Sequence, residues 1–305
     1  MAKHFIRGLI TEVITPFKRN GDIDYNKMGA LIDFQMESGV RNIFVNGLGA
    51  ECHECSMEEK MELLKITREH CTDDAKIMAC SFESSIAENK KLLKMYMDSG
   101  LADCFCITAP PYFHHTKEAL YQWSAELIDY CDKPVYIYDC VQMGTLYDAD
   151  TLFKLKENHP NLRGYKDATK DVVHLVQIMT KIDKDDFDFL GGCDGIDGPI
   201  MILGAVGCVS FMAVTFPKEM KDVVDYALVG DVDACMNAQY KIMKLRNVMK
   251  KAPFNAAYIY GQKYTSSPLV ECSRMPENQD FVPDAVKAEL DDLVDKLGIK
   301  ERYKS

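Results

Sequence analysis

One lysine of this sequence is placed where it can act as a nucleophilic amine. Lys166 ends the apolar, strand-like segment of residues 162–166. A lysine that points into a protein interior loses hydration, which lowers the pKa of its ammonium from about 10.4 towards roughly 7–8, and the neutral amine attacks a ketone. The iminium that forms withdraws electrons from the adjacent carbon–carbon bond, so Lys166 is a predicted Schiff-base nucleophile. The alternative is a lysine that snorkels to solvent beside Asp167.

A tyrosine ends the strand-like segment before the one that contains Lys166. Tyr138 closes residues 134–138, one strand–helix unit before Lys166. Adjacent parallel strands are about 4.8 Å apart, so the two side chains can meet at the same end of a sheet. A phenol there would transfer a proton to and from a substrate hydroxyl, which is the role we predict for Tyr138. A strand tyrosine that only packs is the alternative.

Small residues follow the second strand-like segment and precede a predicted helix. This loop reads Asn46-Gly47-Leu48-Gly49-Ala50-Glu51. Small side chains let backbone N–H groups approach an anion such as a carboxylate. We therefore expect Gly47, Leu48, Gly49 and Ala50 to bind substrate, although any tight turn after a strand uses similar residues.

The segments that would position these groups recur along the chain. Eight short apolar segments have strand-like composition, and their first residues are 19 to 34 residues apart, close to one β–α–β unit. They are Leu9–Thr15, Asn42–Val45, Lys76–Ala79, Cys104–Thr108, Val135–Tyr138, Leu162–Lys166, Asp188–Leu190 and Gly207–Phe211. Parallel strands covered by helices are apolar on both faces, as these are. We predict an α/β fold, a (β/α)8 TIM barrel over residues 1–227, with its active site at the C-terminal ends of the strands.

Helical periodicity separates the strands and continues beyond them. Six helices are predicted between strands, at Tyr25–Ser38, Ser56–Cys71, Ser84–Ser99, Thr116–Cys131, Asp148–Asn158 and Val172–Lys181. After Pro217 the strand-like segments stop, and the pattern predicts helices at Lys218–Leu228, Asp231–Met249, Pro253–Tyr264 and Asp284–Leu297. Residues 228–305 are therefore a predicted C-terminal helical extension, packed on the barrel without a flexible linker.

Charge and composition exclude several classes of function. The 36 Lys and Arg are outnumbered by 47 Asp and Glu, which gives a net charge of −11 that repels nucleic acid. No apolar run reaches the roughly 18 residues of a membrane helix, so we expect no membrane partner. Most of the twelve cysteines lie in apolar runs, which is typical of free thiols in the cytoplasm. Residues 52–55, Cys-His-Glu-Cys, lack the second ligand pair of a zinc site, and no metal is predicted.

Several segments together resemble one family over nearly the whole chain. They are Leu9–Phe17, Gly21–Asp24, Gly47–Glu51, Pro110–Phe113, Pro134–Tyr138, Gly164–Ala168 and Leu203–Gly207. The chain resembles the dihydrodipicolinate synthase/N-acetylneuraminate lyase family of class I, Schiff-base aldolases. The resemblance implies that Lys166 forms an imine with a 2-oxo acid, usually pyruvate, that Tyr138 is the acid/base, and that the loop around Gly49 holds the substrate carboxylate. It also implies a homotetramer without metal or organic cofactor.

The sequence departs from the family pattern around this site. The family loop carries two hydroxyl or amide side chains where this chain has Leu48 and Gly49, and the position of a second tyrosine, supplied by a neighbouring subunit, is Phe113. Tyr112, the residue before it, is a candidate substitute. Residues 139–144 lack the arginine that binds the aldehyde substrate's carboxylate in the synthases. Losing such a cationic anchor costs about 1.5–3 kcal/mol for a substrate that needs it.

These features support one leading hypothesis and three alternatives. The leading one is a Schiff-base lyase for a hydroxylated 2-oxo acid, acting by aldol cleavage or condensation with pyruvate, or by dehydration. One alternative is the 4-hydroxy-tetrahydrodipicolinate synthase of lysine biosynthesis. Another is N-acetylneuraminate lyase, because Gly192, Asp194 and Ser210 match its sugar-hydroxyl positions, although Gly195 replaces an acidic residue. The last is a non-catalytic barrel that binds 2-oxo acids.

Overall fold

Eight parallel strands pair in chain order, and the first pairs with the last to close a barrel. The computed structural model describes residues 4–275 and 281–304. The strands are β1 Gly8–Glu12, β2 Asn42–Val45, β3 Lys76–Ser81, β4 Cys104–Thr108, β5 Val135–Cys140, β6 Leu162–Ala168, β7 Asp188–Gly191 and β8 Gly207–Ser210. The predicted (β/α)8 barrel is confirmed.

Helices follow the strands and cover the outside of the barrel. Those between and directly after the strands are α1 Tyr25–Glu37, α2 Met57–His70, α3 Ile86–Ser99, α4 Lys117–Tyr130, α5 Ala149–Asn158, α6 Val172–Met179, α7 Asp197–Leu203 and α8 Pro217–Leu228. Local signals set their ends. The Ser56 side chain accepts from Glu59 N while the Glu59 carboxylate accepts from Ser56 N, which starts α2, and Gly100 ends α3 in the left-handed conformation.

One helix was missing from the sequence prediction. The α7 helix has seven residues and begins without a side-chain cap, and its first turn contains Gly198 and Pro199. Such a segment is too short to show a helical period, and its composition reads as a turn. Its burial between β7 and β8 stabilises it instead, because Ile200 and Met201 pack into the core.

The strand register places the predicted site residues side by side. Tyr138 on β5 is the register partner of Lys166 on β6. Both strands run two residues beyond the predicted ends, to Cys140 and Ala168, so the two side chains lie within regular strands. Side chains alternate between the faces of a strand, so Gly164, Lys166 and Ala168 share one face of β6.

The C-terminal helices lie against the barrel and reach its loops. They are α9 Val232–Met249, α10 Ala256–Gly261 and α11 Asp284–Lys296. Gln239 on α9 accepts from Gly198 N at 2.7 Å and donates to Asp194 O at 2.8 Å, so α9 holds the segment after β7. Within residues 4–275 and 281–304, no helix is both long enough and apolar enough to cross a bilayer.

Candidate active site

Lys166 lies inside the barrel and is packed against two aromatic rings. Its side chain is 1% exposed, and Nζ lies 3.5 Å from the ring centroid of Tyr138 and 4.2 Å from that of Phe44. The alternative of a lysine snorkelling to solvent is therefore wrong. The predicted meeting of the lysine with the phenol of the neighbouring strand is confirmed by the strand register.

Burial governs the protonation of the phenol. Tyr138 is 7% exposed, and burial is the main cause that raises its pKa well above the ordinary value, with Cys140 and Glu12 adding to it. The neutral hydroxyl is therefore the resting form. In that form Tyr138 is a proton donor, which suits protonation of a carbonyl oxygen during carbon–carbon bond formation.

A third polar group, Glu12, lies beside the lysine. The Glu12 side chain on β1 is 7% exposed, and its Oε2 lies 3.4 Å from Lys166 Nζ. Its other oxygen, Oε1, accepts from Gly49 N at 2.6 Å. A buried carboxylate that is paired with an amine and bonded to an amide can exchange a proton with that amine.

The loop after β2 holds the Glu12 carboxylate by its backbone. A Cβ on Gly49 would lie 2.9 Å from Glu12 Oε1, and one on Gly47 would clash with the same oxygen, so glycine at both positions leaves room for the Glu12 carboxylate. Leu48 lines the cavity at the barrel mouth. Ala50 is buried, and its carbonyl accepts from Thr15 Oγ1 at 2.7 Å. Gly49 N therefore binds a carboxylate of the same protein, and substrate binding by this loop stays a prediction.

The C-terminal region fixes this loop from the outside. Asn255 donates through Nδ2 to Gly49 O and to Glu51 Oε1, both at 3.0 Å. The other oxygen of Glu51 accepts from Arg274 N at 3.0 Å. Glu51 itself is fully buried and adopts φ 60°, a left-handed conformation that non-glycine residues rarely take. The helical extension therefore holds the loop that contacts Glu12.

Residues of β7 and β8 form the opposite wall. Gly192 gives the lysine room, because a Cβ there would lie 3.1 Å from Lys166 Cε. Asp194 lines the cavity and accepts from Ser210 Oγ at 2.5 Å and from Met212 N at 3.3 Å. Burial is the main cause that raises the pKa of Asp194. Ser210 is fully buried behind Asp194, so it orients the aspartate and does not line the cavity.

Tyr112 and Phe113 lie away from the cavity of this chain. Both side chains are largely exposed, at 77% and 71%, in the loop after β4. Neither is among the described side chains that surround Lys166 and Tyr138. Substrate binding by Tyr112 stays a prediction, and within one chain the structure does not bring Tyr112 to Lys166.

The cavity beside Lys166 carries positive charge at its exposed side. Three residues that pack against Lys166 line it, Glu12, Tyr138 and Gly192. Asp194 and the more exposed Lys170, Arg246 and Lys250 line it as well. Among residues 4–275 and 281–304, no group of three or more His, Cys, Asp or Glu side chains is arranged to hold a metal ion.

A comparison of sequences identifies the family. The profile of the Dihydrodipicolinate synthetase family matches residues 5–276. The chain belongs to this family. The family is one of class I aldolase-type lyases, so the chain is a Schiff-base-forming lyase, as the sequence predicted.

Relatives in the dihydrodipicolinate synthetase family match the chain over most of its length. A 4-hydroxy-tetrahydrodipicolinate synthase of Hydrogenobaculum sp. is 29% identical over 92% of this chain and 98% of its own, and one of Aquifex aeolicus is 28% identical over 92% and 97%. The crystal structure of a chloride-inhibited dihydrodipicolinate synthase of Acinetobacter baumannii, complexed with pyruvate, is 25% identical. It superposes with a TM-score of 0.88 over 96% of this chain and 99% of that one.

The sequence prediction missed Glu12 and the three cations of the mouth. A signal for Glu12 was present, because a charged residue interrupts an otherwise apolar first strand. No local signal marks Arg246 and Lys250, which look like ordinary charged residues of a helix until α9 is placed against the barrel.

Proposed function

We propose that this lyase acts on a hydroxylated 2-oxo acid, either by aldol cleavage and condensation with pyruvate or by dehydration. The observation that carries the proposal is the buried Lys166 amine, 3.5 Å from the ring centroid of Tyr138, which lines the cavity. The similarity to a synthase crystallised with pyruvate supports a 2-oxo acid as the carbonyl substrate. No metal or organic cofactor is required, because the iminium itself accepts the electron pair.

The chemistry begins at the lysine. In its uncharged form Lys166 Nζ adds to the carbonyl carbon of the 2-oxo acid, and the carbinolamine then loses its hydroxyl as water to give the iminium. Glu12 Oε2, 3.4 Å from Nζ, first takes one proton from the Lys166 ammonium, which leaves the neutral amine, and later gives that proton to the departing hydroxyl. The other proton of the water moves from the added nitrogen to the substrate oxygen when the carbinolamine forms, and one proton stays on the iminium nitrogen.

The carbon–carbon step follows from the iminium. In cleavage, the bond between C3 and C4 breaks, its electrons form an enamine, and the C4 hydroxyl proton is taken up by a base. In condensation, the enamine carbon attacks an aldehyde, and the neutral phenol of Tyr138 protonates the aldehyde oxygen. In dehydration, a base removes a C3 proton to give the enamine, and the enamine electrons break the C4–O bond while the leaving hydroxyl takes a proton and departs as water. Tyr138 and Glu12 are the two proton-transfer groups that we assign to these steps.

Glu12 also affects how the acid end of the substrate binds. By the family resemblance, the loop around Gly49 holds the substrate carboxylate, and Glu12 Oε1 accepts from this amide at 2.6 Å. Two carboxylates about 4 Å apart repel by about 4 kcal/mol at the effective dielectric constant of 20 that is typical near a protein surface. We infer that the Glu12 side chain turns away from Gly49 N when a 2-oxo acid binds.

The second candidate is 4-hydroxy-tetrahydrodipicolinate synthase, because the relatives in two bacterial species carry this name. Apolar Leu48 and Phe113 and the absence of an arginine at residues 139–144 favour the first candidate. An assay that condenses pyruvate with aspartate semialdehyde distinguishes them, since efficient turnover would establish the synthase. N-acetylneuraminate cleavage is a weaker alternative, because Asp194 is already bonded to Ser210 and Met212.

The test is reductive trapping of the imine. Borohydride with pyruvate should add a stable adduct to the peptide that contains Lys166, and the Lys166→Arg variant should show no adduct. Unmodified wild-type protein after this treatment would contradict the proposal. Screening 2-keto-3-deoxy sugar acids by pyruvate release then identifies the substrate, and trapping without turnover of any of them would support the non-catalytic barrel.

We also propose that the enzyme is a homotetramer of the cytoplasm. The family resemblance supports the assembly. All twelve cysteines are free thiols and eleven are buried, which supports a reducing compartment.

A further inference from the structure

Three cations from two distant parts of the chain meet at the mouth of the cavity. Lys170 lies in the loop after β6, and Arg246 and Lys250 lie at the end of α9, one helical turn apart. Lys170 adopts φ 67°, a left-handed conformation that costs a non-glycine residue free energy. All three line the same cavity as Lys166's partners Glu12 and Tyr138.

Within the part of the chain that the structure describes, no carboxylate forms an ion pair with these cations. Among the described residues, none of the three has a carboxylate oxygen within the 4.0 Å of an ion pair. The nearest acidic side chain in the cavity, Asp194, is instead bonded to Ser210 and Met212. In a protein with a net charge of −11, unpaired cations at a cavity mouth concentrate positive potential where a substrate enters.

We propose that Lys170, Arg246 and Lys250 bind an anionic group at the far end of the substrate, a carboxylate or a phosphate carried by the aldehyde half. The proposal rests on the function proposed above and narrows its substrate class. In the synthases an arginine binds the carboxylate of the aldehyde substrate, and residues 139–144 of this chain contain no arginine. The proposal gives this role to the end of α9 and the loop after β6.

The spacing of the wall fits such a substrate. A Cβ on Gly192 would lie 3.1 Å from Lys166 Cε, and one on Gly195 would lie 3.6 Å from Arg246 Nη1. The two glycines are three residues apart, and three residues span at most about 10 Å. Lys166 and Arg246 therefore lie against positions three residues apart in one wall segment, so one elongated substrate can contact both.

The electrostatics of the mouth agree with an anion site. Burial and the nearby Arg246 and Lys170 lower the pKa of Lys250, while Asp194 raises it. Like charges held together in this way repel, and a bound anion relieves that repulsion. Lys250 also lies 5.5 Å from the ring centroid of Tyr258, a contact that keeps the side chain over the cavity.

The first experiment compares acceptor aldehydes in condensation with pyruvate. Glyceraldehyde is the neutral acceptor, glyceraldehyde 3-phosphate carries a phosphate, and succinic semialdehyde carries a carboxylate. We expect at least one anionic acceptor to have a KM about tenfold or more below that of glyceraldehyde, and to lose this advantage in Arg246→Gln and Lys250→Gln. The control Lys244→Gln, on an exposed position of the same helix, should leave all three KM values unchanged.

The second experiment measures binding without turnover. Inorganic phosphate and acetate should raise the Tm of the wild-type protein and of Lys244→Gln, and the Arg246→Gln and Lys250→Gln variants should lose the rise. Absence of any rise in Tm, together with equal KM values for neutral and anionic acceptors, would overturn the anion site while leaving the imine at Lys166 intact. Failure of pyruvate trapping would instead overturn the proposed function, so the two failures are distinguishable.

Discussion

At the scale of single residues, the main feature of the site is a pair of ionisable side chains inside the barrel, Lys166 and Glu12. An isolated buried charge is strongly unfavourable, so each of these two groups depends on the other and on the Gly49 amide. The arrangement gives the lysine a proton acceptor at 3.4 Å and packs its amine against the rings of Phe44 and Tyr138. We therefore assign two functions to Glu12 that can be tested separately. It transfers a proton, and it occupies the Gly49 amide that is predicted to bind an anion.

Two Glu12 variants should separate these functions. Glu12→Gln keeps an oxygen for Gly49 N but cannot accept the lysine proton, so kcat should fall about 100-fold or more. Its loss of negative charge should also lower KM for pyruvate, but by less than in Glu12→Ala. Glu12→Ala also frees the amide, so kcat should fall similarly while KM for pyruvate decreases. Steady-state kinetics and borohydride trapping at varied pyruvate concentration measure both effects. A Glu12→Ala enzyme with unchanged kcat would show that Glu12 is not a catalytic residue.

Another prediction for a single residue concerns how His174 changes the stability of the fold with pH. His174 Nε2 lies 3.7 Å from Asp139 Oδ2, and hydrogen bonding to Asp139 is the main cause that raises the pKa of His174 above its usual 6.5. Asp167 and Asp171 also face the imidazole and add to the shift, while burial opposes it. Because the folded state binds this proton more tightly, the stabilisation is fully present below about pH 6.5 and is lost as pH rises through the raised pKa.

Denaturant unfolding at pH 6 and pH 8.5 tests whether stability falls as His174 loses its proton. The free energy of unfolding of the wild-type protein should fall more between these pH values than that of His174→Gln. An identical fall in both proteins would mean that His174 does not contribute this pH dependence.

At the scale of elements, the helical extension shapes the active site as much as the strands do. Asn255, just before α10, holds the loop after β2, and Gln239 on α9 holds the segment after β7. The barrel strands fix Lys166 and Tyr138, whereas the loops after β2 and β7 are held by contacts from residues 228–305. The boundary between a barrel of residues 1–227 and an extension of residues 228–305 remains a prediction. Residues from both sides of this boundary line the same cavity.

Removing the Asn255 contact should impair substrate binding beyond its effect on stability. Asn255→Ala leaves Gly49 O and Glu51 Oε1 without this donor, and we expect a loss of about 1–3 kcal/mol in the free energy of unfolding and a higher KM for pyruvate. Ser85→Ala is the control, because it removes the side-chain cap of α3, worth about 1 kcal/mol, far from the loop. Equal KM values in the two variants would contradict a positioning role for Asn255.

At the scale of the whole molecule, an acidic surface surrounds a cationic cavity mouth. This contrast favours the capture of small anions over nucleic acid, and the capture should weaken with salt. The exposed Tyr112 and Phe113 form a separate apolar feature of the surface. Exposed aromatic pairs are typical of contact sites between proteins.

The proposed tetramer leads to a prediction for this aromatic pair. Light scattering during gel filtration should give the mass of four chains of 34.6 kDa each, and Phe113→Glu should shift the mass downward by burying a charge at a subunit contact. Val229→Glu, which alters a similarly exposed apolar residue, is the control. A wild-type mass of a single chain would contradict the tetramer.

The sequence by itself determined the barrel, its strands and the meeting of Lys166 with Tyr138. These depend on apolar periodicity and on the pairing of consecutive strands, and both are local properties of the chain. Only the tertiary structure decided that Glu12 of β1 meets Lys166 of β6, 154 residues later, and that Gly49 N bonds to Glu12. It also decided that Arg246 and Lys250 face the barrel mouth. Closing the sheet and packing α9 bring these groups together, and neither event leaves a pattern in neighbouring residues.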